Sequence, residues 1–342
     1  MNIFEKVKNI FNKPEQPRRY LSCEYIEHGM NIDYDENVKL CCFNCHEGGG
    51  RQILIPDYKG QKINWKKFFK EKKKMRELCA KGQIPERCKG CFFLKEREWD
   101  SEDYLNYIVF NHWTQCNCKC TYCYTSDNNE YYNTKKSFDM LPQIKELARI
   151  KKLRGGGEIG FGGGEPTILK EFEHLVNLLL DNGCDNIRVH SSGIKYSKAI
   201  ERGVHEGKLI VVISIDSSSK ETYEKIKRVP CYDAVWKNIR TYAENQGENK
   251  FKAKTKYIII PGVNDTMEEY KRWIDMSYEA GVRSVVIDIE GGWYHNNKNN
   301  IPQHIYDMID FGAQYTESLG MKDVEFYDRA RDALVHRDEI QK

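Results

Sequence analysis

The sequence contains no apolar run long enough to cross a bilayer. Stretches such as LIVVISI at 209–215 stop far short of the ~20 residues that a spanning helix needs. It also lacks a dominant charge, with 54 Lys and Arg against 51 Asp and Glu and a formal net charge of +3. Nothing global therefore marks a nucleic-acid partner. No secretory signal is recognisable, which places the expected location in the cytoplasm. In that reducing setting the 13 cysteines of the 342-residue chain read as metal or cluster ligands rather than disulfides.

Two segments have a simple local reading. MNIFEKVKNIFNK sets Ile3, Phe4, Val7, Ile10 and Phe11 on one helical face, so residues 1–19 are expected to form an amphipathic helix and linker. The basic run KKFFKEKKKMR at 66–76 reads as a solvated helix face, with RNA contact as its functional alternative.

From about residue 101 short apolar runs alternate with helical patterns. Strands are expected at 104–113, 158–163, 186–192, 208–216, 253–260 and 283–290. Between them lie helices such as EFEHLVNLLLD, and a capping box at Thr266 and Glu269. Six strand–helix units predict an α/β fold with a parallel sheet. In such sheets functional residues gather beyond the strands' C-terminal ends. That is where CNCKCTYCY, GGGEPT, HSSG and SIDSSS fall in this chain.

CNCKCTYCY at 116–124 contains Cys116-x3-Cys120-x2-Cys123. Three thiolates on one short loop can ligate three irons of a cubane and leave the fourth open to a ligand that is not protein. Cys118 is read as a bystander, because drawing it onto the same cluster would strain the loop.

This stretch resembles the signature of the radical S-adenosylmethionine (SAM) superfamily, with Tyr122 as the aromatic before the last cysteine and GGGEP at 162–166 as the glycine-rich motif. The resemblance covers roughly residues 104–292 and implies a partial (β/α)6 TIM-like barrel over 101–295. It implies a 4Fe–4S cluster on Cys116, Cys120 and Cys123, chelated at its open iron by the amino and carboxylate groups of SAM. One electron then splits the sulfonium to methionine and a 5′-deoxyadenosyl radical. Gly163 and Gly164 would let the backbone approach the methionine end, and Glu165 would accept from its ammonium. Ser214 and Asp216, on alternate residues, would bind ribose hydroxyls, or else act as strand-end caps. Ile260 and Gly262 in IIIPGVND would lie beside the adenine.

Residues 20–100 hold seven cysteines and few long apolar runs, which suggests a small α+β domain held by metal. Their pattern resembles the auxiliary-cluster modules SPASM and Twitch, here placed before the barrel rather than after it. Carried over, the ligands of a second 4Fe–4S cluster are Cys23, Cys41, Cys88 and Cys91, with Cys42 able to replace Cys41. Cys42-x2-Cys45 with Cys88-x2-Cys91 reads alternatively as a tetrahedral zinc site. Cys184 and Cys231 are expected to be small buried hydrophobes.

A fully protein-ligated auxiliary cluster suits an oxidative reaction in which it accepts the electron left on the substrate. The expectation is a radical SAM oxidoreductase acting on a peptide, sugar or nucleotide, with a flavodoxin or ferredoxin as electron donor. Tyr124, His190, Asp288 and Glu290 are the candidates for lining the substrate pocket. The alternatives are an iron–sulfur or zinc protein that only binds a partner, and a radical enzyme that modifies RNA. Residues 296–342 are expected to be a helical extension without a recognisable motif.

Overall fold

The computed structural model describes residues 18–33, 37–39, 54–59, 63–123, 139–248 and 250–340. Its centre is a parallel series of strands: β6 (Tyr107–Asn111), β7 (Ile159–Phe161), β8 (Ile187–Ser191), β9 (Leu209–Ser214), β10 (Ala253–Ile259) and β11 (Ser284–Ile289). They lie side by side in chain order. Each of the six expected strands is present, trimmed at its ends. Between them run α3 (Leu141–Arg149), α4 (Phe172–Asp181), α5 (Lys198–His205), α6 (Lys220–Lys227), α7 (Tyr232–Glu244) and α8 (Met267–Glu279). The Thr266 side chain accepts from the Glu269 N–H at the start of α8, as its capping pattern predicts.

Alternation along the strands decides which face is core. On β8, Ile187, Val189 and Ser191 are buried, whereas Arg188 and His190 are half-buried. The buried set packs with apolar stripes such as Phe172, Leu175, Val176 and Leu179 of α4. The main core therefore lies between the sheet and its helices, and the opposite sheet face carries polar groups.

The N-terminal part joins the same sheet. It contains β1 (Arg18–Ser22), α1 (Glu24–His28), β2 (Gly29–Asp33), β3 (Asn37–Lys39), β4 (Leu54–Lys59), α2 (Trp65–Ala80) and β5 (Lys95–Trp99). Strand β2 pairs in parallel with β6, from Gly29 opposite Tyr107 to Asp33 opposite Asn111, and β3 and β4 continue antiparallel. Strands β1 and β5 form a separate antiparallel pair. The helix expected near the N-terminus falls on residues 1–17, outside the described residues.

The basic run lies on α2 but is not simply a solvated face. Lys72 is fully buried and donates to the carbonyls of Tyr25 at 2.9 Å and Gly29 at 2.8 Å. Arg76, also buried, donates to the Glu27 carbonyl at 3.3 Å and pairs with Asp103 at 2.5 Å. The carbonyls at the end of α1 need donors once buried, and these two cations supply them.

His28, at the end of α1, stacks on Tyr104 with ring centroids 3.9 Å apart, and burial pushes its pKa down to about 4. The unfolded imidazole titrates near ~6.5, so between these values the unfolded chain binds more protons and stability rises with pH. Acidification from pH 6.5 towards 4 should remove on the order of 2 kcal/mol through this residue. Urea midpoints measured across that range should fall, and His28→Gln should flatten the fall.

At the C-terminal end lie α9 (Gly291–Asn297), α10 (Gln303–Ser318) and α11 (Asp328–Ile340). Between the last two lies an unforeseen strand, β12 (Asp323–Phe326), paired in parallel with β11. Four residues, DVEF, are too few to display a strand period.

Candidate active site

The cysteine loop follows β6. Cys116 is exposed, Cys118 buried, and Cys120 and Cys123 half-buried. Two backbone bonds pin the loop to the end of α6: Lys119 N–H to the Lys227 carbonyl at 3.1 Å and Thr121 N–H to the Ile226 carbonyl at 2.9 Å. The Cys118 N–H points at Cys116 Sγ at 3.4 Å. The Cys118 thiol lies within hydrogen-bonding reach of both Cys116 and Cys120, and its single proton favours the thiolate of whichever it faces, which lowers the pKa of these two cysteines. Cys120 is held at about 6, first by Cys118 and then by the Lys227 ammonium, against the opposing effect of burial. Thiols that ionise readily are the donors iron requires, so the loop fits the expected cluster. Among the described residues no three His, Cys, Asp or Glu side chains gather around one point as ligands of a single ion would. A cubane takes one thiolate per iron, and its ligands need not converge on a point.

The glycine-rich loop after β7 is zipped to the chain leading into the cysteines. Gly162 N–H donates to the Phe110 carbonyl at 3.0 Å, Gly164 to Trp113 at 3.2 Å and Glu165 to Gln115 at 2.8 Å. Gly163 has a φ of +80°, and a Cβ on Gly164 would run into the Gln115 carbonyl oxygen. Glycine is thus required by the cysteine segment itself, a reason beyond ligand access. Glu165 is buried; one carboxylate oxygen accepts from Thr167 N–H at 3.1 Å, Thr167 Oγ1 at 2.6 Å and Ser191 Oγ at 2.9 Å. The other accepts from Ser192 N–H at 2.6 Å, and Ser192 Oγ donates to Asn117 in the cysteine loop at 3.0 Å. In HSSG it is the serines that reach the cysteine site.

Asp216 differs from the ribose-binding expectation. Strand β9 ends at Ser214, and Asp216 sits beyond it at a φ of +54°, so strand alternation does not relate the two residues. The buried Asp216 carboxylate pairs with the buried Lys227 ammonium, accepts from Tyr122 OH at 2.6 Å, and accepts from Ile258 N–H at 2.8 Å. Lys227 also donates to Tyr122 OH at 2.8 Å. The three groups lock the aromatic of the cysteine motif to β9 and β10. Asn264 adds a second lock: its amide donates to the carbonyls of Asp216 at 2.9 Å and Ile258 at 3.0 Å, while its oxygen accepts from Ile260 N–H at 2.7 Å. Ile260 packs with Ile226 and Ile258 beside Tyr122, giving the loop an apolar neighbour, and Gly262 makes the turn at a φ of +79°.

The substrate candidates separate. Tyr124 lies outside the described residues. His190 faces Tyr327, whose OH lies 3.5 Å from Nε2, and burial, then Lys256 and Arg188, push its pKa to about 3. Asp288 is buried and paired with Arg329 at 2.8 Å. Glu290 caps α9, accepting from Gly292 N–H at 2.8 Å and Trp293 N–H at 2.5 Å, so its carboxylate has a structural task.

Of the auxiliary cysteines, Cys41, Cys42 and Cys45 lie outside the described residues. Cys23 and Cys79 are buried together with Ile26, and Cys88 packs against them. Cys91 lies close enough for its charge to raise the pKa of Cys23, which burial already pushes to about 11. Cys91 N–H donates to the Cys88 carbonyl at 3.0 Å, and Gly90, with a φ of +73°, makes the turn between them. Cys23, Cys88 and Cys91, three of the four ligands carried over, thus lie near one another, while burial disfavours the Cys23 thiolate. Cys79 joins them because α2 returns it there. Cys184 is buried as expected, whereas Cys231 is only half-buried.

Residues 110–274 match the model of the Radical SAM superfamily. Among curated relatives, the GTP 3′,8-cyclase of Haemophilus influenzae (strain ATCC 51907 / DSM 11121 / KW20 / Rd) is 28% identical over 162 residues, 47% of this chain and 47% of that protein. The GTP 3′,8-cyclase of Clostridium botulinum (strain Okra / Type B1) is 28% identical over 185 residues, 53% of this chain and 56% of the relative. The chain spans about half the length of these relatives. Among solved structures, Streptococcus suis SuiB bound to precursor peptide SuiA aligns with a TM-score of 0.50 at 12% identity, covering 77% of this chain and 62% of SuiB. That likeness shows the fold. No helix among the described residues is long and apolar enough to cross a membrane.

Proposed function

We propose that this protein is a cytoplasmic radical SAM oxidoreductase that abstracts hydrogen from a peptide, sugar or nucleotide and completes an oxidative modification. The observation that carries the reading is the cysteine loop itself, with Cys116, Cys120 and Cys123 exposed or half-buried and anchored by backbone bonds to α6. When bound, a 4Fe–4S cluster supplies the electron that splits SAM into methionine and a 5′-deoxyadenosyl radical, and an auxiliary cluster would accept the electron left on the substrate. Cys116, Cys120 and Cys123 would hold the first cluster, and Cys23, Cys88, Cys91 and Cys41 or Cys42 the second. Glu165, fixed by Ser191 and Ser192, keeps a lone pair for an ammonium on the oxygen that accepts only from Ser192 N–H. Tyr122 and Ile260 offer an apolar flank for the adenine. A flavodoxin or ferredoxin would donate the electron. The similarity to GTP 3′,8-cyclases over the barrel favours a nucleotide among the three substrate classes.

The test is iron and acid-labile sulfide on anaerobically reconstituted protein, with 5′-deoxyadenosine and zinc measured in the same samples. Wild type should hold about eight irons and the Cys116, Cys120, Cys123→Ala triple variant about four, with nucleoside release abolished. About four irons falling to none, with zinc retained, would make the N-terminal site structural and remove the reason for an oxidative reaction. Nucleoside release that survives the triple variant would defeat the reading altogether.

A further inference from the structure

The sheet face turned away from the helices holds a cluster of charge that the cysteine chemistry does not use. Arg188 and His190 of β8 face that side. In register, His190 stands opposite Val212, Val212 opposite Lys254, and Ser214 opposite Lys256, so Lys254 and Lys256 share the face. The C-terminal segment adds Glu325 from β12, then Tyr327 and Arg329. Glu325 accepts from Arg188 at 2.9 Å and from Lys254 at 2.9 Å. Tyr327 OH accepts from Arg188 at 2.9 Å, and Arg329 pairs with Asp288 at 2.8 Å.

Four cations therefore meet two carboxylates, and Lys256 is the one left over. Among the described residues it forms no ion pair; its ammonium rests 4.8 Å from the centre of the Tyr327 ring. Burial holds its pKa below the ordinary lysine range, against the more distant charges of Asp288 and Asp216, while Lys227 and Arg329 add to the depression. The Arg188–Glu325 pair keeps 22% and 30% of its side-chain surface accessible, so the cluster is reachable from solvent. A half-buried cation with no carboxylate at ion-pair distance is costly, and an incoming anion relieves that cost. The neighbouring Arg188 is held by Glu325 and Tyr327, and it adds its positive charge to the attraction for an incoming anion.

We propose that Lys256, Arg188 and Tyr327 form a seat for an oxyanion of the substrate, a phosphate or a carboxylate. Calling the ligand a substrate rests on the radical reading above; the seat itself does not. Isothermal titration of the reconstituted enzyme, with SAM present throughout, would use pyrophosphate and malonate as probes. One of the two should bind wild type, more weakly as salt rises, and at least about tenfold more weakly to Lys256→Met, a loss of about 1.4 kcal/mol. Lys256→Arg should restore it. Tighter pyrophosphate binding would identify a phosphorylated substrate, and tighter malonate binding a carboxylate. Failure of both probes, or equal binding by Lys256→Met, would overturn the seat and leave a purely structural ion network. If Lys256→Met does not fold, Lys256→Gln takes its place. 5′-Deoxyadenosine measured in the same samples separates the two readings. Anion binding without nucleoside release retains the seat and defeats the radical function, and release without anion binding does the reverse.

Discussion

Lys227→Met is expected to lower the unfolding free energy by about 3–5 kcal/mol, because it leaves the Asp216 carboxylate buried without its cation. The charge cannot relax into water, since the side chains of Lys227 and Asp216 are only 2% and 0% exposed. Asp216 retains hydrogen bonds from Tyr122 and Ile258, which soften the loss without replacing the counter-charge. Adding Asp216→Asn should return most of the lost stability, as removing both charges of a buried pair often costs little. Denaturant unfolding of the two single variants and the double variant checks this through the coupling energy. Recovery in the double variant should be thermodynamic only. The cysteine loop loses a cation that favours the Cys120 thiolate, so iron incorporation should remain impaired. Equal stability of Lys227→Met and wild type would remove the pair from any structural role.

Gly164→Ala should empty the radical site while sparing the fold. The added methyl meets the Gln115 backbone carbonyl, which cannot rotate away, and moving it breaks the Glu165 N–H bond to the same oxygen at 2.8 Å. The glycine-rich loop and the cysteine segment must then separate. Reconstituted iron should drop from about eight to about four per chain, the auxiliary share remaining. Gly162→Ala provides the contrast. Its methyl would lie 2.5 Å from Asn111 Oδ1, the tip of a side chain that can turn. That variant should keep its iron. Retention of iron by Gly164→Ala would mean that the zipped backbone is not needed for cluster assembly.

The strands and the cysteine motif were legible because each rests on a local signal: a short apolar or alternating run between helical patterns, or thiols spaced on one loop. The roles of Asp216 and Glu290 were not. Both are carboxylates at strand ends, and only the fold shows that Lys227 and the start of α9 occupy them. Lys227 and Asn264 carry no motif of their own, since each is defined by partners on other elements. No motif places Cys79, and a 16-residue helix returns it to Cys23, 56 positions earlier in the chain. Strand β12 was hidden by its brevity, and with it Glu325, the carboxylate that Arg188 and Lys254 share on the polar sheet face.

The pairing of β2 with β6 has a bearing on how the barrel meets other molecules. With β2 in place, the backbone donors and acceptors on that side of YIVFN are occupied by a strand of the same chain. Without it, β6 would end the parallel series as an open edge with Ile108 and Phe110 behind it, the type of template on which foreign strands assemble. The N-terminal segment thus acts as a chaperone built into the polypeptide, keeping the first barrel strand from seeking a partner elsewhere.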